Sequence, residues 1–126
     1  MRNFKKIRAW QLADDLAVAV YEATAGFPRN EQFGLTAQMR RCAVSVASNI
    51  AEGSKRRHNP DYLRFLDIAN GSVAELEYQV HLAHRLKYLS EERYTNLAAK
   101  VEEVARTLYG LIVYVEGETH SRNQTS

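Results

Sequence analysis

Apolar residues return every three or four positions along four stretches of the chain, and polar or helix-breaking residues separate them. From about Ile7 to Thr24, Ala9, Leu12, Ala13, Leu16 and Val20 form one stripe, widened by Trp10, Ala17 and Tyr21, which predicts a first amphipathic helix. Residues 25–34, AGFPRNEQFG, hold two glycines, a proline and an asparagine and read as a connection with one short helical turn. Leu35, Met39, Cys42, Ala43, Val46 and Ile50 then predict a second helix reaching about Ala51, with Gly53 as its left-handed stop.

A third helix opens at Asn59-Pro60-Asp61, where an N-cap acceptor, a proline needing no amide partner and an acid at the positive helix end coincide. Its core series, Tyr62, Leu66, Ala69, Val73, Leu76, Val80 and Ala83, alternates steps of four and three, the period of coiled-coil-like packing. Ser90, Glu91 and Glu92 start a fourth helix, in which Tyr94, Leu97, Val101, Val104, Leu108, Leu111 and Val115 repeat the same period. No stretch shows strand alternation between turn signals, and the short connections make sequence neighbours antiparallel. The expected fold is all-α: an antiparallel up-down-up-down four-helix bundle over residues 1–118, followed by a flexible polar tail over 119–126.

One domain fits a chain of 126 residues, and the single cysteine, Cys42, excludes an intramolecular disulfide. Asp14 and Asp15 interrupt the apolar part of the basic N-terminal stretch, and no run approaches the ~18 apolar residues of a membrane span. A cytoplasmic protein without membrane contact is expected. Charge is unevenly spread: residues 1–64 hold 11 Lys/Arg against 6 Asp/Glu, net +5, whereas residues 65–126 hold 6 against 9, net −3. Such a two-signed molecule can face a polyanion or pair with its own copies.

The segments AWQLADDL, VYEATAGFPRNEQFGLTAQMRRCAVSVASNIAEG and FLDIANGSVAELEYQV resemble the bacterial four-helix-bundle proteins encoded within intervening sequences of 23S rRNA genes. FGLTAQMRR, SNIAEG and IANGSVAELE are the most specific elements of the resemblance. It implies a homopentamer whose bundles ring a central opening. A similar protein, the accessory variability determinant of diversity-generating retroelements, engages a reverse transcriptase and nucleic acid as a basic pentamer.

Within RRCAVSVASNIAEGSKRR, residues 40–57, the small residues of the second helix and Gly71 and Ser72 of the third suggest a close packing seam, with Cys42 across from Asn70 and Gly71. Asn49 is expected to satisfy backbone groups at the turn, and Glu52 to accept hydrogen bonds from the following loop or pair with an arginine. One glycine, no GxxxxGK[ST] spacing and no preceding strand exclude a nucleotide-phosphate loop. Lys5, Lys6, Arg8, Arg40, Arg41, Lys55, Arg56 and Arg57 are the candidate nucleic-acid contacts, since repeated basic patches suit phosphate backbones. The alternative is that these charges solvate loops or pair with acids of a neighbouring subunit.

Glu77, His81 and His84 share a helical flank and could meet an ion, but the Glu-x-x-His repeat of di-metal bundles is missing, so no metal or cofactor is expected. Cys42 has no histidine nearby in sequence, and the four histidines show no catalytic spacing, so no catalytic residue is assigned. Trp10, Tyr21, Phe65, Tyr78, Tyr88, Tyr109 and Tyr114 widen the apolar sectors beyond what one small bundle can cover, which calls for burial between subunits. The sequence thus points to a non-enzymatic, self-associating scaffold or accessory protein binding structured RNA or DNA. A protein-binding adaptor is the competing class, and a metal-dependent enzyme a distant third.

Overall fold

A computed structural model describes residues 2–125, with side chains described as far as Glu118. Four α-helices, α1 (Arg8–Thr24), α2 (Leu35–Ser54), α3 (Asn59–Arg85) and α4 (Glu91–Thr125), are joined by short connections, and 3-10 turns at Phe4–Lys6 and Arg29–Glu31 precede α1 and α2. No strand occurs among the described residues. Packing joins α1 to α2, α2 to α3, α3 to α4 and α4 back to α1, so the helices occupy the corners of a square with the α1–α2 face opposite the α3–α4 face. The expected tail over 119–126 lies outside the residues whose side chains are described.

The heptad series of α3 is buried throughout, and on α4 Leu97, Val101, Val104, Leu108 and Val115 join it while Tyr94 and Leu111 are half-buried. With Leu16, Val20, Met39, Val46 and Ile50 they form one continuous core. Ser90 caps α4 as its sequence suggests, its Oγ accepting from the Arg93 amide at 3.1 Å. The stop of α3 carries no sequence signal. Lys87 takes the left-handed conformation (φ 63°), and the amides of Lys87 and Tyr88 donate to His84 and Ala83 at 3.0 and 2.9 Å, closing a Schellman turn without glycine.

The α2–α3 hairpin corrects several expectations. Gly53 is not a left-handed stop, because α2 continues through it to Ser54 and no glycine has positive φ among the described residues. A Cβ on Gly53 would lie 2.8 Å from Phe65 Cβ and 3.0 Å from Tyr62 Cδ1, so the glycine is there to let α3 approach the last turn of α2. The hairpin axis therefore moves toward residues 58 and 59. Ser45 Oγ meets Ser72 Oγ at 2.9 Å, and Cys42 faces Glu75 and Gln79 rather than Asn70 and Gly71.

Gly71 is exposed, with nothing within 4 Å of a Cβ at its position, so it takes no part in the seam. Ser72 does. Asn49 bonds back along its own helix to Ser45, at 2.8 Å to the carbonyl and 3.1 Å to Oγ, instead of serving the turn. Glu52 is exposed, and its carboxylate has no hydrogen bond or ion pair among the described residues, because the loop it was expected to hold is held from the N-terminus instead. Asn59 is not a cap: His58 holds that position without a side-chain bond, and Asn59 is a buried first helical residue.

Candidate functional site

The segment before α1 folds into a compact strap. Asn3 Oδ1 accepts from the Lys5 amide at 3.1 Å, Gln11 Nε2 donates to the Lys5 carbonyl at 2.9 Å, and Phe4 sits edge-on to Trp10 with ring centres 4.9 Å apart. Arg2 fastens this strap to the α2–α3 tip. Its Nη1 donates to the Arg56 carbonyl at 2.9 Å and the Ser54 carbonyl at 3.4 Å, and its Nη2 to Asn59 Oδ1 at 2.6 Å. The guanidinium lies 4.2 Å from the centre of the Tyr62 ring. A cation at these carbonyls complements the negative end of α2. Burial pushes the Tyr62 phenol up, Arg2 opposes that rise, and Glu118 of α4 adds to it.

The consequence is that Lys5 and Lys6 come to the same end of the bundle as Lys55, Arg56 and Arg57. Lys55 Nζ reaches the Arg2 carbonyl at 3.5 Å and lies 5.7 Å from the Phe4 ring centre. Arg56 and Arg64 both rest on Phe65, at 4.5 and 4.7 Å from its centre. Rings hold the apolar stems while the charged heads stay in water. Residues 2–8 and 55–64 together carry eight Lys/Arg and one acid, Asp61. The ion pairs here, Arg8–Glu103 at 3.9 Å and Arg64–Asp61 at 3.7 Å, are exposed and hold their partners weakly.

Arg40 and Arg41 do not join this cluster. They lie fourteen or more residues along α2 from Lys55, roughly 20 Å at ~1.5 Å per residue. Arg40 is a structural pin: its Nε donates to Thr24 Oγ1 at 2.9 Å, its Nη2 to the Tyr21 carbonyl at 3.5 Å, and it covers the Tyr21 ring at 4.6 Å. Arg41 is exposed beside Cys42. Conversely, Arg2 and Arg64 belong to the cluster and were not singled out in the sequence. The FKK turn ahead of Trp10 was the available signal, because an aromatic there must pack on something and so brings its lysines along.

The Glu77–His81–His84 flank is divided. Glu77 and His81 line a groove of about 550 Å³ between α3 and α4, whereas His84 bonds Glu91 at 2.6 Å and stacks on Tyr94 with ring centres 3.8 Å apart. No group of three or more His, Cys, Asp or Glu among the described residues is placed to hold a metal ion.

Burial, followed by the hydrogen bond and charge of Glu75, pushes the Cys42 thiol from 9.0 up to about 11. At pH 8 the native thiolate fraction is then about a hundredfold below that of an unfolded thiol, and Ellman's reagent should label Cys42 slowly until denaturant is added. The folded state favours the protonated thiol, so this group's contribution to stability is complete below pH 9.0 and is lost as pH rises toward about 11. Rapid labelling of native protein at pH 8 would contradict this burial.

Fold and charge together define an all-α antiparallel bundle with one cationic end. The chain belongs to the 23S rRNA-intervening sequence protein family, whose profile it matches over residues 5–110. Curated proteins give no match. A crystal structure of a protein with unknown function from the S23 ribosomal protein family of Bacteroides thetaiotaomicron is similar in fold, with a TM-score of 0.74 and 23% identity. The match covers 82% of this chain and 97% of that one. Neither comparison carries an enzymatic activity, and no described helix is long and apolar enough to cross a membrane.

Proposed function

We propose that the protein is a non-enzymatic, self-associating cytoplasmic scaffold whose basic end grips the phosphate backbone of structured RNA or DNA. The observation that carries this reading is the strap: Arg2 joins Lys5 and Lys6 to the Lys55–Arg57 tip, so cations distant in sequence share one surface. Phosphate contacts release counterions, and a symmetric assembly multiplies a modest patch into an avid one. A homopentameric ring, the assembly implied by the sequence resemblance, would set five such ends on one rim. The contact set is then Lys5, Lys6, Arg8, Lys55, Arg56, Arg57 and Arg64, with Arg2 assigned to holding the strap and Arg40 to holding α1.

An accessory role follows, like that of the retroelement accessory determinant, in which the scaffold presents nucleic acid to a partner enzyme. Affinity capture from lysate, with and without nuclease, tests the reading. Nucleic acid should co-purify at low salt, and bound proteins should leave after nuclease treatment. Partners retained after nuclease, with no nucleic acid recovered, would make the protein an adaptor instead.

A further inference from the structure

The α2–α3 seam carries a polar hollow of about 220 Å³, lined by Gln38, Arg41, Cys42, Ser45, Ser72 and Glu75. It is smaller than the pockets that hold drug-sized ligands. Ser45 meets Ser72 across the antiparallel pair, so Cys42 stands level with Glu75 one turn away. Arg41 faces the same place, because its charge acts on the Cys42 thiol. Opposite charges therefore border the hollow without meeting: Arg41 and Glu75 are exposed, and neither forms an ion pair among the described residues.

Hydrogen bonding around the hollow is incomplete as well. Asn49 Nδ2 donates to Ser45 Oγ at 3.1 Å, and one hydroxyl proton bridges Ser45 and Ser72 at 2.9 Å. The second hydroxyl proton of the pair has no acceptor among the described residues and is left to point outward. Gln79 lies one turn along α3 from Glu75, with its amide against Cys42. It is 4% exposed, and its Oε1 has no hydrogen-bond partner among the described residues. A buried acceptor without a donor is costly and calls for an occupant that supplies one.

A ligand with one anionic and one cationic end satisfies all of these groups together. Its carboxylate takes the Arg41 guanidinium and the free hydroxyl proton, and an ammonium with three N–H donors takes Glu75 and Gln79 Oε1. An anion alone would face Glu75, and a cation alone would face Arg41. A metal ion meets the same repulsion, and no group of three or more His, Cys, Asp or Glu among the described residues is placed to hold one. We propose that the hollow binds a small free α-amino acid as its zwitterion, the carboxylate on Arg41 and the Ser45–Ser72 pair and the ammonium between Glu75 and Gln79. The volume suits glycine, alanine or serine. This site is separate from the basic end and independent of the nucleic-acid reading.

Isothermal titration calorimetry of the wild-type protein with glycine, L-alanine and L-serine tests it. Each should bind saturably at millimolar concentration and raise the melting temperature, whereas acetate and ethylammonium, which carry one end apiece, should bind at least tenfold more weakly. Arg41→Gln and Glu75→Gln, both at exposed positions, should each weaken L-alanine binding at least tenfold with unchanged helical circular dichroism. Gln79→Met should raise the urea midpoint, because an unpartnered oxygen leaves the interior, and still weaken binding. No saturable heat with any of the three amino acids, equal affinity for acetate or ethylammonium, or wild-type affinity in any of the three variants would overturn the site.

Discussion

Gly53→Val lowers the stability of the bundle by about 2–3 kcal/mol, the scale of overpacking a tight contact. The added Cβ would meet Phe65 Cβ, which is fixed to the α3 backbone and cannot rotate away. Relief requires α2 and α3 to separate at the end where Arg2 spans them, so the loss of stability should be accompanied by looser packing of the strap. Gly71→Ala in the same helix pair should do the reverse, gaining about 0.5–1 kcal/mol because its Cβ enters open space within a helix. Urea denaturation of both variants checks the pair. Equal effects would mean that the glycines answer to helix propensity alone.

Arg2→Ala costs about 2–3 kcal/mol, since charged hydrogen bonds are lost and a buried amide is stranded. Asn59 Nδ2 already lacks a partner among the described residues, and without Arg2 its Oδ1 lacks one too. The strap then detaches, exposing Trp10, the only tryptophan, as Phe4 leaves it. A red shift of native tryptophan emission, together with a lower urea midpoint, is the expected result. Unchanged emission would mean that Phe4 holds the strap without Arg2.

These two residues also mark where sequence reading ran out. The heptads of α3 and α4 are legible because their members share one stripe, buried throughout on α3 and half-buried only at Tyr94 and Leu111 on α4, while on the α1 stripe Leu12 is half-buried. Gly53 was misread because a glycine near a helix end signals a stop by local rules, whereas here the requirement comes from Tyr62 and Phe65 of the next helix. Lys87 shows the converse, a left-handed stop closed by amide bonds back to His84 and Ala83 on a residue with no propensity for it. The α2–α3 register followed from the same error, which is why Gly71 was placed in a seam that Ser72 occupies.

The basic surface was half legible. Runs such as Lys55–Arg57 declare themselves, but whether two runs meet depends on a single long-range clasp, and Arg2 looks like any terminal arginine until its carbonyl partners are seen. Arg40 illustrates the opposite error: a charge read as available for ligand spends its hydrogen bonds on Thr24 and Tyr21. Of the seven aromatics expected at subunit contacts, Tyr21, Tyr78, Tyr109 and Tyr114 remain exposed, whereas Phe65 is buried beneath arginines and Tyr88 is tied to Glu31 at 2.9 Å.

The most direct measurement is a fluorescence-anisotropy titration of the assembled protein with structured RNA and duplex DNA over a range of salt. Binding at low ionic strength should weaken linearly in log salt, with a slope smaller by about 3 per engaged protomer when Lys55, Arg56 and Arg57 are replaced by alanine. Arg40→Ala should lower thermal stability and leave that slope unchanged. Absence of salt-sensitive binding at low ionic strength, or a slope indifferent to the triple substitution, would contradict the claim that the basic end is the ligand surface.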